Sequence, residues 1–299
     1  MREERNVLAG TVDIHIHTAP DIFPRCVTAL SAAQAAQAAG MAAIVFKSHS
    51  TDTAARAEMV RDLTGFRAYG GVCLNYSVGG MNPHAVVETA RQGGRVVWMP
   101  SINARNFIPK SHMAPMLAKA IPKGVRGLVA SRNGRLLAEV AKILDIVADQ
   151  GLLLCGGHLD AADTLLLFEE ARRRGIERMV VNHAEAEYMG FTVEDIRRLA
   201  EVGAMIEVTK VHAIAQRAEL IRAVGVEHCV IATDAGPVVN PPPVDLLRET
   251  LTGLAELGFS EAELRYMSVD VPSWLIQLER YTERPRPPRA GTSSLSTAR

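Results

Sequence analysis

The chain has 299 residues, with 33 basic and 33 acidic side chains, 48% hydrophobic and 22% charged. Zero formal net charge gives no field to attract nucleic acid or an anionic membrane surface, and this length suits one large α/β domain. Cys26, Cys73, Cys155 and Cys229 form no CxxC pair, so they read as reduced core residues and not as a zinc ribbon or redox motif.

The start, MREERNVLAG, is charged and lacks the apolar run of a secretory signal, and no window approaches the roughly 18 apolar residues of a membrane span. The expected location is the cytoplasm, with residues 1–10 as a lead-in. Apolar, β-rich runs then recur: VDIHIH (12–17), MAAIVFK (41–47), FRAYGGVCLN (66–75), RVVWMPS (95–101), GLLLCGGHL (151–159), RMVVNHAE (178–185), AMIEVT (204–209) and HCVIATD (228–234). Each precedes a segment of helical period. The first helix, within 27–40, stops at Gly40, and the third starts at the cap Asn82 with Pro83 in its first turn. Others read over 135–150, 161–174, 192–202, 212–224 and 243–257.

Nearly continuous apolar strands separated by helices argue for a parallel sheet covered on its outer face. Eight units argue for a (β/α)8 TIM barrel over residues 11–280 as a single domain. The alternative, an open doubly wound sheet, would ordinarily carry a Gly-rich phosphate turn after its first strand, where this chain has HIHTAPD. One or two packing helices are expected over 260–279, and the Pro-, Ser- and Arg-rich 281–299 reads as a disordered tail.

A barrel gathers the C-terminal ends of its strands at one mouth, where active sites are built. There this chain places His15 and His17 (strand 1), Lys47 and His49 (strand 2), His158 (strand 5), His183 (strand 6) and Asp234 (strand 8). Imidazole and carboxylate together suit zinc and related divalent ions, and a coordination position left open for water points to hydrolysis.

The order of HxH on strand 1, His on strands 5 and 6 and Asp on strand 8 resembles the amidohydrolase superfamily of metal-dependent hydrolases, over residues 12 to about 279. DIHIHTAPDIFPR, IVFKSH, VVWMPS and TDAGPVVNPPPVDLLR look like an uncharacterised branch of it. The resemblance implies an enzyme in which His15 and His17 bind the metal. His158 and His183 would supply further ligands or contact the substrate, and Asp234 would be both ligand and proton acceptor for metal-activated water. The catalytic set is then Asp234, His183 and Lys47. One or two ions are expected, zinc first, with manganese, iron or cobalt accepted by the same ligands. On strand 4, WMPS stands where a bridging lysine or glutamate is expected, which favours one ion; Lys47, carboxylated, and His49 are further metal candidates.

Bland readings stand beside these. An HxH alone is commonly two ordinary histidines, a strand-end lysine can snorkel to solvent, and the glycines before His158 could serve a tight turn. Asp13 is expected to orient a ligand histidine or cap the loop. Arg25, Asn75 and Asn103 are the substrate-binding candidates, Arg25 through a two-pronged carboxylate contact; their alternatives are a surface arginine and hydrogen bonds within loops, as for Arg105. His84, His112, His212 and His228 read as structural or exposed. The expected reaction is hydrolysis of an amide, lactone or related carbonyl bond in a small polar molecule. Non-oxidative decarboxylation, phosphoester hydrolysis and a catalytically silent ligand-binding barrel are the alternatives. Loops 18–30, 101–134 and 235–245 would choose the substrate. No nucleic-acid or membrane partner is expected, and a homo-oligomer is.

Overall fold

The computed structural model describes residues 6–210, 213–279 and 281–288. Strand β1 (Val12–His17) leads to helix α1 (Ala29–Ala38), then β2 (Ala43–Lys47) and α2 (Ala54–Thr64). The third strand breaks at Gly70 into β3 (Ala68–Tyr69) and β4 (Gly71–Cys73), followed by α3 (Pro83–Arg91). After β5 (Val96–Trp98) a long connection holds the short helix α4 (Pro115–Ala118) and a hairpin, β6 (Ser131–Arg132) and β7 (Arg135–Leu136). Regular alternation resumes with α5 (Ala138–Gln150), β8 (Leu153–Cys155), α6 (Ala161–Arg173), β9 (Met179–Val181) and α7 (Val193–Glu201). It ends with β10 (Met205–Val208), α8 (Ile214–Val224), β11 (Cys229–Ile231) and α9 (Pro243–Glu256). The expected packing segment is α10 (Glu261–Arg265) and α11 (Val271–Leu275), joined by a π-helical turn at Tyr266–Asp270.

The barrel strands run parallel in the order β1-β2-β3 and β4-β5-β8-β9-β10-β11. Thr53 joins the two groups: its hydroxyl lies 2.7 Å from the Phe46 carbonyl and accepts the Gly71 N–H at 2.9 Å. The ring closes where Ile16 pairs with Ala235: His17 N–H donates to the Ala235 carbonyl at 2.7 Å, and Asp234 N–H to His15 at 2.9 Å. The fold is the expected (β/α)8 barrel.

Local chemistry explains the elements. Every residue of β1 and of β2 is buried, as a parallel strand covered on both faces requires. Helix α5 buries Val140, Ile143, Leu144 and Val147, spaced i, i+3, i+4, i+7, and ends at left-handed Gly151. Each such aliphatic side chain contributes about 1.5–3 kcal/mol when removed from water. Asn82 caps α3 by accepting the His84 N–H, with Pro83 in the first turn. His212 and the tail from 289 lie outside the described residues. Among the described residues no helix is long and apolar enough to cross a membrane.

Candidate metal centre

Successive residues of β1 alternate faces, so His15 and His17 emerge together at its end. The Asp234 Oδ1 lies 3.2 Å from the Nε2 of each. The Lys47 amine, one strand over and paired in register with His17, reaches His15 Nε2 at 3.0 Å. The Trp98 ring on β5 forms a floor, its centroid 6.2 Å from the His15 ring and 5.7 Å from Lys47 Nζ. An indole thus sits on the strand where the superfamily pattern puts a bridging ligand.

His183 and Asp234 both sit at left-handed backbone angles, φ 48° and 49°. Non-glycine residues avoid that region at a cost of about 1–2 kcal/mol, and such strain clusters at working sites. Two glycines allow the close approaches. At Gly157 a Cβ would come within 2.2 Å of the Met99 carbonyl, and at Gly236 within 2.2 Å of the His17 carbonyl. Gly157 thereby lets His158 swing in beside strand 4, and Gly236 lets the last loop lie on the HxH.

Sequence reasoning missed Glu207. It is fully buried on β10, accepts from His15 Nδ1 at 2.9 Å and from Asn182 Nδ2 at 3.1 Å, and lies 3.6 Å from His183 Nδ1. Asn182 in turn accepts the Gly157 N–H at 3.1 Å, so one carboxylate ties the strands carrying His15, His158 and His183. The signal was present: a lone acid inside the apolar run AMIEVT has no reason to be buried without a partner.

These contacts set the tautomers. Burial opposes ionisation of Glu207, but the His15 charge and hydrogen bond, with His183 and Lys47, outweigh it and bring the carboxyl down to about 2. Ionised Glu207 accepts only, so His15 carries a proton on Nδ1 and turns Nε2 toward Lys47 and Asp234. Arg25 approaches His17 Nδ1 at 3.3 Å from one side, and His17 Nε2 faces Asp234 Oδ1 at 3.2 Å on the other. Burial lowers His17, His49 and His158 well below the usual imidazole range and brings His183 down to about 4. All four are neutral rings with lone pairs to offer. Asp234 is held well below the usual carboxylate range; burial raises it, but His15, His183 and His17 prevail. Its side chain keeps 23% of its surface exposed against 0% for His15 and 3% for His17, so the centre opens to solvent at Asp234.

Two groups of donor atoms lie within 4.8 Å of one another among the described residues: His15, His17 and Asp234, and His15, His183 and Glu207. They share His15, whose Nδ1 proton is spent on Glu207. His158 and His49 lie beside these groups. The His158 ring centroid is 5.5 Å from His183 and its Nδ1 has no hydrogen-bond partner among the described residues; His49 stacks on His17 at 4.8 Å and meets Ser101 Oγ at 2.8 Å through Nδ1. Tyr188 packs on both His158 and His183.

Three residues with smaller expected roles are each held by neighbours of their own. The Arg25 fork is already taken: Nε and one terminal nitrogen bind Asp21 Oδ2 at 3.1 and 3.0 Å, both side chains being buried, so Arg25 orients His17 and is not free to grip a substrate carboxylate. The Asn75 amide is saturated, donating to His49 O and Ser101 Oγ and accepting the Ser101 and Asn103 N–H groups, which leaves nothing for a substrate. Asp13 touches no imidazole; it accepts from the backbone N–H groups of His15 and Thr233 and from the Thr233 hydroxyl, which pins β1 to the end of strand 8. Asn103 is buried with its Oδ1 on the Tyr76 N–H, and exposed Arg105 stands 3.8 Å from Asp160. His84 and His112 are exposed, and His228 is half-buried just before β11.

A sequence profile of a family of unknown function, DUF6282, matches residues 10–207. No protein of curated function matches the chain. Solved structures match over nearly the whole barrel. An amidohydrolase from Burkholderia multivorans with bound zinc is 11% identical, with TM-score 0.57 over 90% of this chain and 100% of that one. The 2,6-dihydroxybenzoate decarboxylase from Rhizobium is 10% identical, with TM-score 0.52 over 90% and 99%. A variant organophosphorus hydrolase from Deinococcus radiodurans is 13% identical, with TM-score 0.53 over 91% and 94%. Identities this low establish the fold, and at that level the resemblance to the amidohydrolase superfamily is borne out. A scaffold shared by three activities leaves the reaction to be argued from the site.

Proposed function

The chain belongs to the DUF6282 family of unknown function, with an amidohydrolase-type barrel, and from that premise we propose that it is a divalent-metal-dependent hydrolase of a small polar molecule. One observation carries the reading. His15 Nε2 and His17 Nε2 each lie 3.2 Å from Asp234 Oδ1, so two imidazole nitrogens and an ionised carboxylate oxygen converge on one point of the barrel mouth, as the ligands of a single cation do. The donor set fits an ion of zinc type, and buried neutral imidazoles are the form that ligates. His15, His17 and Asp234 would hold it, with His183 and His158 as further donors. One ion is the expected load, because the second donor group reuses His15 and an indole lines strand 4.

A divalent ion supplies acidification of a water molecule and polarisation of a carbonyl. The remaining work falls to side chains of this chain. Asp234 turns Oδ1 to the two imidazoles and offers its other oxygen to accept a proton from water and return it to the leaving group. Glu207 keeps His15 in its ligating tautomer. The Lys47 amine donates toward the same point. Tyr188, pushed up by burial and then by Asp234, Glu185 and Glu207, stays protonated and can donate to a substrate oxygen. Non-oxidative decarboxylation is the second reading, since the same donors serve it in a barrel of this kind.

Elemental analysis of the purified protein should find one divalent ion per chain, lost in His15→Ala. Metal-loaded protein is then screened against amides, lactones, carboxylic acids and phosphate esters. Absence of bound metal, or an Asp234→Asn variant with every detected activity intact, would sink the reading.

A further inference from the structure

Lys210 stands two residues beyond β10, at the same rim as His183 and Asp234. Its amine is buried and finds no hydrogen-bond acceptor among the described residues. A buried ammonium without an acceptor is costly, and a chain keeps one only where something else satisfies it. Burial disfavours its ammonium form, Asp234 favours it, and Arg217 and Arg25 disfavour it. Asp234 turns Oδ1 to the imidazoles and makes no hydrogen bond to the amine, and Arg25 is held by Asp21.

Above this amine the first and last loops are stitched together. Cys26 N–H donates to the Gly236 carbonyl at 2.8 Å, and Arg25 pairs with Pro237. On the outer side of that seam lies a cavity of about 390 Å³, lined by Ile22, Phe23, Pro24, Met116, Ala120 and Val238, with Lys119. All three loops expected to choose the substrate contribute to it. Its walls are apolar and its one ionic group is a cation. Phe23 also packs edge-on against His49, with ring centroids 5.9 Å apart.

We propose that Lys210 is the anion-binding residue of the mouth, and that the substrate is a small organic carboxylate whose apolar body extends past the Arg25–Pro237 seam into the loop cavity. This rests on the reading above, which puts the reacting bond at the same mouth. It also relocates the carboxylate contact that the sequence assigns to Arg25.

Benzoate and its neutral counterpart benzamide are the probes, titrated by calorimetry into zinc-loaded and chelator-treated protein. Benzoate should bind at least roughly tenfold more tightly than benzamide, the value of a charge-assisted hydrogen bond. Lys210→Met should erase that preference with zinc content unchanged, and Lys210→Arg should keep it. Val238→Asn, at a position 57% exposed, should weaken benzoate and leave acetate binding as it was. Equal binding of benzamide and benzoate, or unchanged benzoate binding in Lys210→Met, overturns the anion site. Unchanged benzoate binding in Val238→Asn overturns the placement of the apolar body. The preference persists in chelator-treated protein, so a protein that holds benzoate on Lys210 yet binds no metal would refute the hydrolase reading alone. A zinc hydrolase indifferent to carboxylates would refute this inference alone.

Discussion

Replacing Glu207 by Gln should weaken zinc binding by about ten- to a hundredfold, the usual effect of removing the carboxylate behind a ligating histidine. The size follows from two hydrogen bonds. Glu207 accepts from His15 Nδ1 at 2.9 Å through one oxygen and from Asn182 Nδ2 at 3.1 Å through the other. Glutamine has one oxygen and one NH2, so it can satisfy only one of these donors. If the oxygen serves Asn182, the NH2 faces His15 and drives the proton to Nε2, where it blocks the metal. If the oxygen serves His15, the Asn182 NH2 is left facing another NH2 inside the barrel. Either arrangement loses about 1.4–2.7 kcal/mol of metal binding, which is the stated fold-change. Competition against a chromophoric chelator at neutral pH measures the affinity, and the visible spectrum of the cobalt-substituted protein reports the ligand field. Wild-type affinity and an unchanged cobalt spectrum in Glu207→Gln would refute the reasoning. Glu207→Ala is the wrong probe, because unpairing His15 and Asn182 should also lower the melting temperature.

Metal-free protein should lose stability as pH falls from 6.5 to about 4. His183 is depressed in the folded state, so its contribution of about 3 kcal/mol is present above 6.5 and lost through about 4. His17, His49 and His158 shift in the same direction, while Asp13, raised by burial to about 6, contributes about 3 kcal/mol the other way, present below 3.8 and lost as pH rises through 6. Denaturant melts across this window check the net; a flat or rising midpoint would mean that the rings are not buried neutral. Arg25→Met should cost about 3–5 kcal/mol by leaving Asp21 buried and unpaired, and Asp21→Asn with Arg25→Met should recover much of it; equal melting temperatures for wild type and the single variant would contradict a buried pair. Asn75→Ala should cost about 2–3 kcal/mol of stability by unsatisfying the Ser101 and Asn103 N–H groups. A raised KM at unchanged stability would return Asn75 to the substrate.

The residues that show most plainly in the sequence are those whose chemistry is unusual where they stand. Two histidines one apart in an apolar strand, and single histidines or an aspartate ending other strands, need no coordinates to be noticed, because parallel strands put all their C-terminal ends on one face. The barrel was legible for the same reason: strand and helix periods are local. Glu207 and Lys210 were equally visible as letters, but each stands where a strand residue could face the mouth, the outer helices or a loop.

Three groups could be assigned only once the chain had closed. Arg25 and Asn75 are placed at the mouth by chain order, yet what they do depends on Asp21, Ser101 and Asn103, whose side-chain directions no periodicity encodes. The Nδ1 proton of His15 depends on Glu207, 192 residues away. The sequence by itself determined which strand ends carry metal-binding chemistry, since that follows from local spacing. Only the tertiary structure decided which way the His15 ring faces and which cation lacks a partner, because hydrogen bonds are short, directional and made between strands that meet only in the closed barrel.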